Sequence, residues 1–105
     1  MLNLLKSLFG NNSFNLKELI KNNAILVDVR TPSEYAEAQI KGAVNIPLDQ
    51  LNNRISQLKD KNHIIVFCRS GYRSSQAKAL LEAKGFTNVI NAGTWIKVKR
   101  ELESV

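Results

Sequence analysis

The chain has 105 residues, 44% of them hydrophobic, with five Gly and two Pro, which describes one small domain with a single core and excludes a disordered or low-complexity chain. Its one cysteine excludes an internal disulfide and suits a reducing, cytoplasmic setting, and with only one histidine beside it a structural Cys/His zinc site is not expected. The formal net charge is +6, but the lysines are scattered and not interleaved with aromatics, so most of the charge reads as solvated helix surface and nucleic-acid binding is not expected.

Residues 1–12 open the chain with Leu2, Leu4, Leu5, Leu8 and Phe9. The run is too short for a bilayer span, which needs about 20 apolar residues, and it lacks a signal-peptide cleavage pattern. It reads as an amphipathic extension that makes no stable membrane insertion, ahead of a domain over 13–105. Leu16, Leu19 and Ile20 repeat at helical spacing, with Asn15 or Ser13 as the cap. Ala24-Ile25-Leu26-Val27 is a continuous apolar run, as in a parallel strand covered on both faces. It ends in Asp28-Val29-Arg30.

Thr31-Pro32-Ser33-Glu34 predicts a helix start. Thr31 caps, Pro32 takes the first helical position, and Glu34 completes a capping box. Tyr35 and Ala38 are expected to face inward. Ala43 to Ile46 predicts a short strand stopped by Pro47, and Leu51, Ile55 and Leu58 mark one more helix. His63 is assigned to a turn ahead of the strand Ile64-Ile65-Val66-Phe67. A helix follows from Ser74 to about Lys84, with Gly85 as its left-handed cap. Phe86 to Ile90 predicts the last strand. Asn91-Ala92-Gly93 then reads as a turn, Thr94 as a cap, and Trp95, Val98 and Leu102 as the apolar stripe of the last helix. The alternation predicts an α/β fold: a central, mostly parallel sheet of about four to five strands with helices on both faces.

Between the third strand and its helix lies Cys68-Arg69-Ser70-Gly71-Tyr72-Arg73-Ser74. Ligands of open α/β sheets bind beyond the carboxyl ends of the strands, and Cys68 falls one residue past such an end. Successive backbone N–H groups in a tight turn, the helix N-terminus, and the charges of Arg69 and Arg73 all favour an anion there. Gly71 permits a positive φ if the turn needs one. The same features lower a thiol pKa, so Cys68 is a candidate nucleophile and Arg69 to Ser74 a candidate anion-binding loop.

Five segments in this order resemble the rhodanese family of thiosulfate-type sulfurtransferases. Asp28-Val29-Arg30 is similar to the family's D-V-R strand end, and Glu34-Tyr35 to its E-[FY] helix start. Ile40 to Pro47 is similar to its I-x-G-A-x-N-I-P segment. Cys68 to Ser74 resembles its C-R-x-G-x-R-S active loop, and Gly85 to Val89 its G-[FY]-x-x-V step. The resemblance runs from Asn15 to Leu102. It implies a Cys68 persulfide, formed from a small anionic donor such as thiosulfate and passed to cyanide, a small thiol or a protein thiol, with no cofactor and no metal. It also implies that Arg69, Ser70, Gly71, Tyr72, Arg73 and Ser74 bind the substrate and the persulfide. Two positions depart from the family: Gln39 stands where His is common, and Ala92-Gly93 where paired glycines are usual. The alternative functions are a persulfide carrier serving a partner protein and a Cys-based phosphatase or arsenate reductase. Four residues separate Cys68 from Arg73, against the five that a phosphate-sized ring of N–H groups needs. The single cysteine leaves no internal thiol to resolve a persulfide.

Overall fold

In the computed structural model, which describes residues 15–104, short helices alternate with parallel strands. The expected extension over 1–12 and the Ser13 cap lie outside the described residues. Helix α1 (Leu16–Lys21) is capped by the Asn15 side chain, which accepts the Glu18 N–H. It leads to β1 (Ala24–Asp28). Helix α2 (Pro32–Glu37) starts on the expected capping box: Thr31 accepts the Glu34 N–H, and Glu34 accepts the Thr31 N–H in return. Tyr35 and Ala38 are only partly buried. Strand β2 (Ala43–Asn45) is short and lies at the sheet edge.

The single helix expected over Leu51 to Leu58 is two pieces. One α turn, α3 (Leu48–Leu51), gives way to a 3₁₀ stretch (Asn52–Leu58) in which Arg54 leaves helical geometry. Asn52-Asn53 favour local side-chain bonding over an α-helix. Leu51 and Leu58 are still buried. Strand β3 (His63–Cys68) begins at His63 and includes Cys68, so the cysteine is its last residue rather than the one beyond it. Helix α4 (Tyr72–Ala83) starts two residues before Ser74, and Gly85, with φ +100°, follows its end.

The last strand, β4 (Val89–Thr94), starts three residues later than predicted and runs through Asn91-Ala92-Gly93 instead of turning there. Its pairing with β3 shifts between Val66 and Phe67, leaving Ala92 as an extra residue in a bulge. This irregularity let a strand pass for a turn in the sequence. Thr94 caps helix α5 (Trp95–Glu103) as expected. Among the described residues no helix is long and apolar enough to cross a membrane.

All four strands are parallel, in the order β2-β1-β3-β4. Alternation along β3 sends Ile64, Val66 and Cys68 to one face, with Ala77 and Leu81 of α4, and Ile65 and Phe67 to the other, with Leu16 of α1 and Val98 of α5. Each fully buried Ile or Phe of this strand contributes about 1.5–3 kcal/mol. From β1 the chain continues to one side of the sheet, and from β3 to the other. The carboxyl ends of β1 and β3 therefore lie side by side where the winding reverses, which is where such sheets open a crevice.

Candidate functional site

Cys68 closes β3 at the crevice and is fully buried. Its position on the α4 face puts the sulfur beneath the first turn of that helix. Gly71 N–H donates to Sγ at 2.9 Å and Ser74 N–H at 3.3 Å. Gly71 makes the turn by taking φ +97°, a region costly for residues with a side chain. The thiol also reaches the Ser74 hydroxyl, Sγ to Oγ 3.6 Å. Burial by itself pushes the Cys68 thiol up. The Ser74 hydroxyl and the N–H groups of Ser74, Gly71 and Ser70 outweigh it and hold the thiol below its ordinary value. The direction is that of a thiol made more acidic by the donors around it.

The two loop arginines diverge. Arg73 turns to α2 and grips Glu34 with two parallel bonds, Nη1 to Oε1 2.8 Å and Nη2 to Oε2 3.0 Å. The Arg73 guanidinium, with help from the Thr31 N–H, holds the Glu34 carboxyl down at about 2. Arg73 therefore braces the loop against α2, and its charge is largely spoken for. Arg69 is exposed at the rim and has no ion-pair partner among the described residues. It lines a cleft of about 330 Å³ with Arg30, Glu34, Trp95 and Ile96. Ser70 and Tyr72 are exposed, Tyr72 at 69%, while Ser74 is buried.

Asp28 and Arg30 reach the same sheet edge but serve the scaffold. Arg30 does not pair with Glu34. It binds Asp28 through Nε and Nη2 at 2.6–3.0 Å and the Ala38 carbonyl at 2.6 Å, and it lies 5.5 Å from the Trp95 ring. Both partners are almost wholly buried. Asn45 donates to the carbonyls of Asp28 and Arg30 at 2.9 and 3.0 Å, and Val29 N–H donates to Phe67 O at 3.0 Å. The end of β1 is thus tied to β2, β3, α2 and α5, and it supports the crevice from below.

Against known proteins, the Rhodanese-like domain model matches residues 15–93. The chain belongs to the rhodanese-like domain family. Thiosulfate sulfurtransferase PspE of Escherichia coli is 44% identical over 69 residues, a match covering 64% of this chain and 66% of that protein. A sulfurtransferase of Allochromatium vinosum is 38% identical over 69 residues, covering 66% and 64%. The chain thus spans just under two thirds of the length of these two relatives. Among solved structures, a rhodanese with anions from E. coli aligns with TM-score 0.65 at 36% identity, covering 70% of this chain and 89% of the other. A human single-domain sulfurtransferase aligns with TM-score 0.67 at 29% identity, covering 86% and 92%.

Within this rhodanese-like domain the departure at Ala92 is absorbed by packing. The Ala92 side chain is buried in the core cluster with Phe67 and Val98, and Gly93 alone takes the positive φ, +87°. Asn91 is a residue the sequence did not single out. The bulge sets its Oδ1 to accept the Gly93 N–H at 2.9 Å and the Ser74 hydroxyl at 2.7 Å. Read as part of a turn, it carried no signal linking it to a loop 17 residues away.

Proposed function

We propose that this protein is a sulfurtransferase that carries a sulfane sulfur as a persulfide on Cys68. The observation that supports it best is the sulfur at the carboxyl end of β3, held by the Gly71 and Ser74 N–H groups at the start of α4. The Cys68 thiolate attacks the outer sulfur of a donor such as thiosulfate. A new S–S bond forms on Cys68, the donor's S–S bond breaks, and its electron pair leaves with sulfite. An acceptor thiolate then attacks the outer persulfide sulfur, takes it, and returns Cys68 as thiolate; cyanide leaves the same step as thiocyanate. Two half-reactions through one covalent intermediate predict ping-pong kinetics. Arg69 supplies the free charge that draws the anionic donor, and the amides from Ser70 to Ser74 hold the sulfur.

The geometry weighs against phosphate chemistry. The helix begins at Tyr72, which leaves three residues after Cys68 to turn the chain, and Arg73 is turned to Glu34. A carrier reading rests on a different observation: a putative sulfur carrier of Bacillus subtilis is 39% identical over 66 residues, covering 36% of that protein. One experiment separates these readings. After incubation with thiosulfate, the intact mass should rise by one sulfur atom and return to its original value on cyanide, with thiocyanate released in repeated turnovers. A carrier loads only from a partner's persulfide. Unchanged turnover in Cys68→Ser would sink the assignment of the nucleophile.

A further inference from the structure

The geometry points to Asn91 as a positioning residue that restrains ionisation of the Cys68 thiol by holding the single proton of the Ser74 hydroxyl. The inference rests on Cys68 being the sulfur-bearing residue proposed above. Ser74 Oγ has one proton and three acceptors in reach: Asn91 Oδ1 at 2.7 Å, Gly71 O at 3.0 Å and the Cys68 sulfur at 3.6 Å. A hydroxyl donates to one partner at a time while its lone pairs accept. The shortest contact takes the proton in the resting state, so Oγ offers the sulfur a lone pair. That arrangement suits a neutral thiol, which donates its S–H to Oγ.

When negative charge appears on sulfur, as thiolate or persulfide, the preference reverses, because hydrogen bonds to charged acceptors are roughly twice as strong as neutral ones. The hydroxyl rotates and donates to sulfur. The thiol proton leaves to solvent, and the Ser74 proton stays on Oγ throughout. Asn91 tolerates the switch because its Oδ1 keeps the Gly93 N–H at 2.9 Å. The bulge at Ala92 is what permits this second contact, since it is here that β4 shifts its register against β3. Ser74 therefore has two settings, and Asn91 biases it toward the thiol.

The charged groups around the sulfur do not take part in the switch. They are Arg73 of α4, paired with Glu34 of α2, the Asp28–Arg30 pair at the end of β1, and Arg69 on the loop. Residues Asn91 to Thr94 of β4 carry no titratable side chain.

The test is the pH profile of Cys68 alkylation by iodoacetamide in the full chain. Asn91→Ala leaves only the longer Gly71 carbonyl to compete for the Ser74 proton. The thiol pKa should fall by roughly half a unit or more, about a threefold change in the ionisation constant. Ser74→Ala should raise it. In the Ser74→Ala background the Asn91→Ala shift should vanish, because the two residues act as one unit. Asn91→Asp keeps the shape and both acceptor contacts and covers the case in which Asn91→Ala does not fold. It should raise the thiol pKa, and by less when Ser74 is Ala. A midpoint that stays or rises in Asn91→Ala, or shifts of equal size with and without Ser74, overturns the inference. The readout needs no sulfur donor, so absence of persulfide formation would sink the sulfurtransferase reading while leaving this coupling to be judged on its own.

Discussion

Replacing Gly71 with alanine separates the two ways in which the loop acts on the thiol. Gly71 has φ +97°, and a Cβ built there would meet nothing nearer than Gly93 Cα at 3.8 Å, which is ordinary contact. The cost is therefore conformational, about 1–2 kcal/mol for an L-residue held in left-handed geometry. The chain relieves that strain by rotating toward negative φ, which swings the Gly71 N–H away from the sulfur it now approaches at 2.9 Å. Losing one hydrogen bond to a charged acceptor is worth about 1.5–3 kcal/mol, and even the lower figure is about one pKa unit. Gly71→Ala should thus move the midpoint of the alkylation profile up by about one unit and, at pH values below the wild-type midpoint, slow alkylation by up to about tenfold. Urea denaturation should report a stability loss of about 1–2 kcal/mol. A stability loss with an unmoved midpoint would refute the idea that this N–H sets the thiolate. An unchanged stability would refute the strain.

The other predictions concern the supports of the loop. Asp28→Asn leaves the Arg30 charge buried without its partner, and urea denaturation should show a loss of about 3–5 kcal/mol. Glu34 has a lowered folded pKa, so its stabilising contribution is complete above its unfolded value and is lost as pH falls through about 2. Stability measured from neutral to strongly acid pH should therefore fall less steeply in Glu34→Gln than in the wild type. With side chains 29% and 23% exposed, solvent screening limits a double-mutant coupling of Arg73 and Glu34 to about 1 kcal/mol. Arg69→Ala should raise the KM for thiosulfate and flatten its salt dependence, leave the urea midpoint in place, and spare alkylation by neutral iodoacetamide.

Much of the fold was legible because the relevant signals are local. The apolar runs Ala24 to Val27 and Ile64 to Phe67 read as strands buried on both faces, and the Thr31–Glu34 capping box reads directly as a helix start. The bulge was not legible, because a register shift belongs to a pair of strands, and Asn91-Ala92-Gly93 alone has the composition of a turn. The break at Arg54 was hidden for a related reason. Leu51 and Leu58 keep their burial across it, so the apolar spacing stays that of one helix.

By itself, the order of residues determined the α/β class, the loop with its single thiol, and the charge and glycine that make such a loop receptive to anions. These depend on chemistry within a few neighbours. The partners of the charges were decided only in three dimensions. Arg30 and Glu34 sit four residues apart, yet Arg30 binds Asp28 and the Ala38 carbonyl while Glu34 binds Arg73, 39 residues away. Strand parity explains part of this. Leu26 packs on the face opposite Val27, Val29 and Cys68, so Asp28 points away from the sulfur although it shares the sheet edge. The contact of Ser74 with Asn91 likewise exists only because β4 shifts its register beside α4. Tertiary packing thus sorted the loop's two arginines, leaving Arg69 at the rim and committing Arg73 to Glu34, and it brought an unremarked asparagine into line with the thiol.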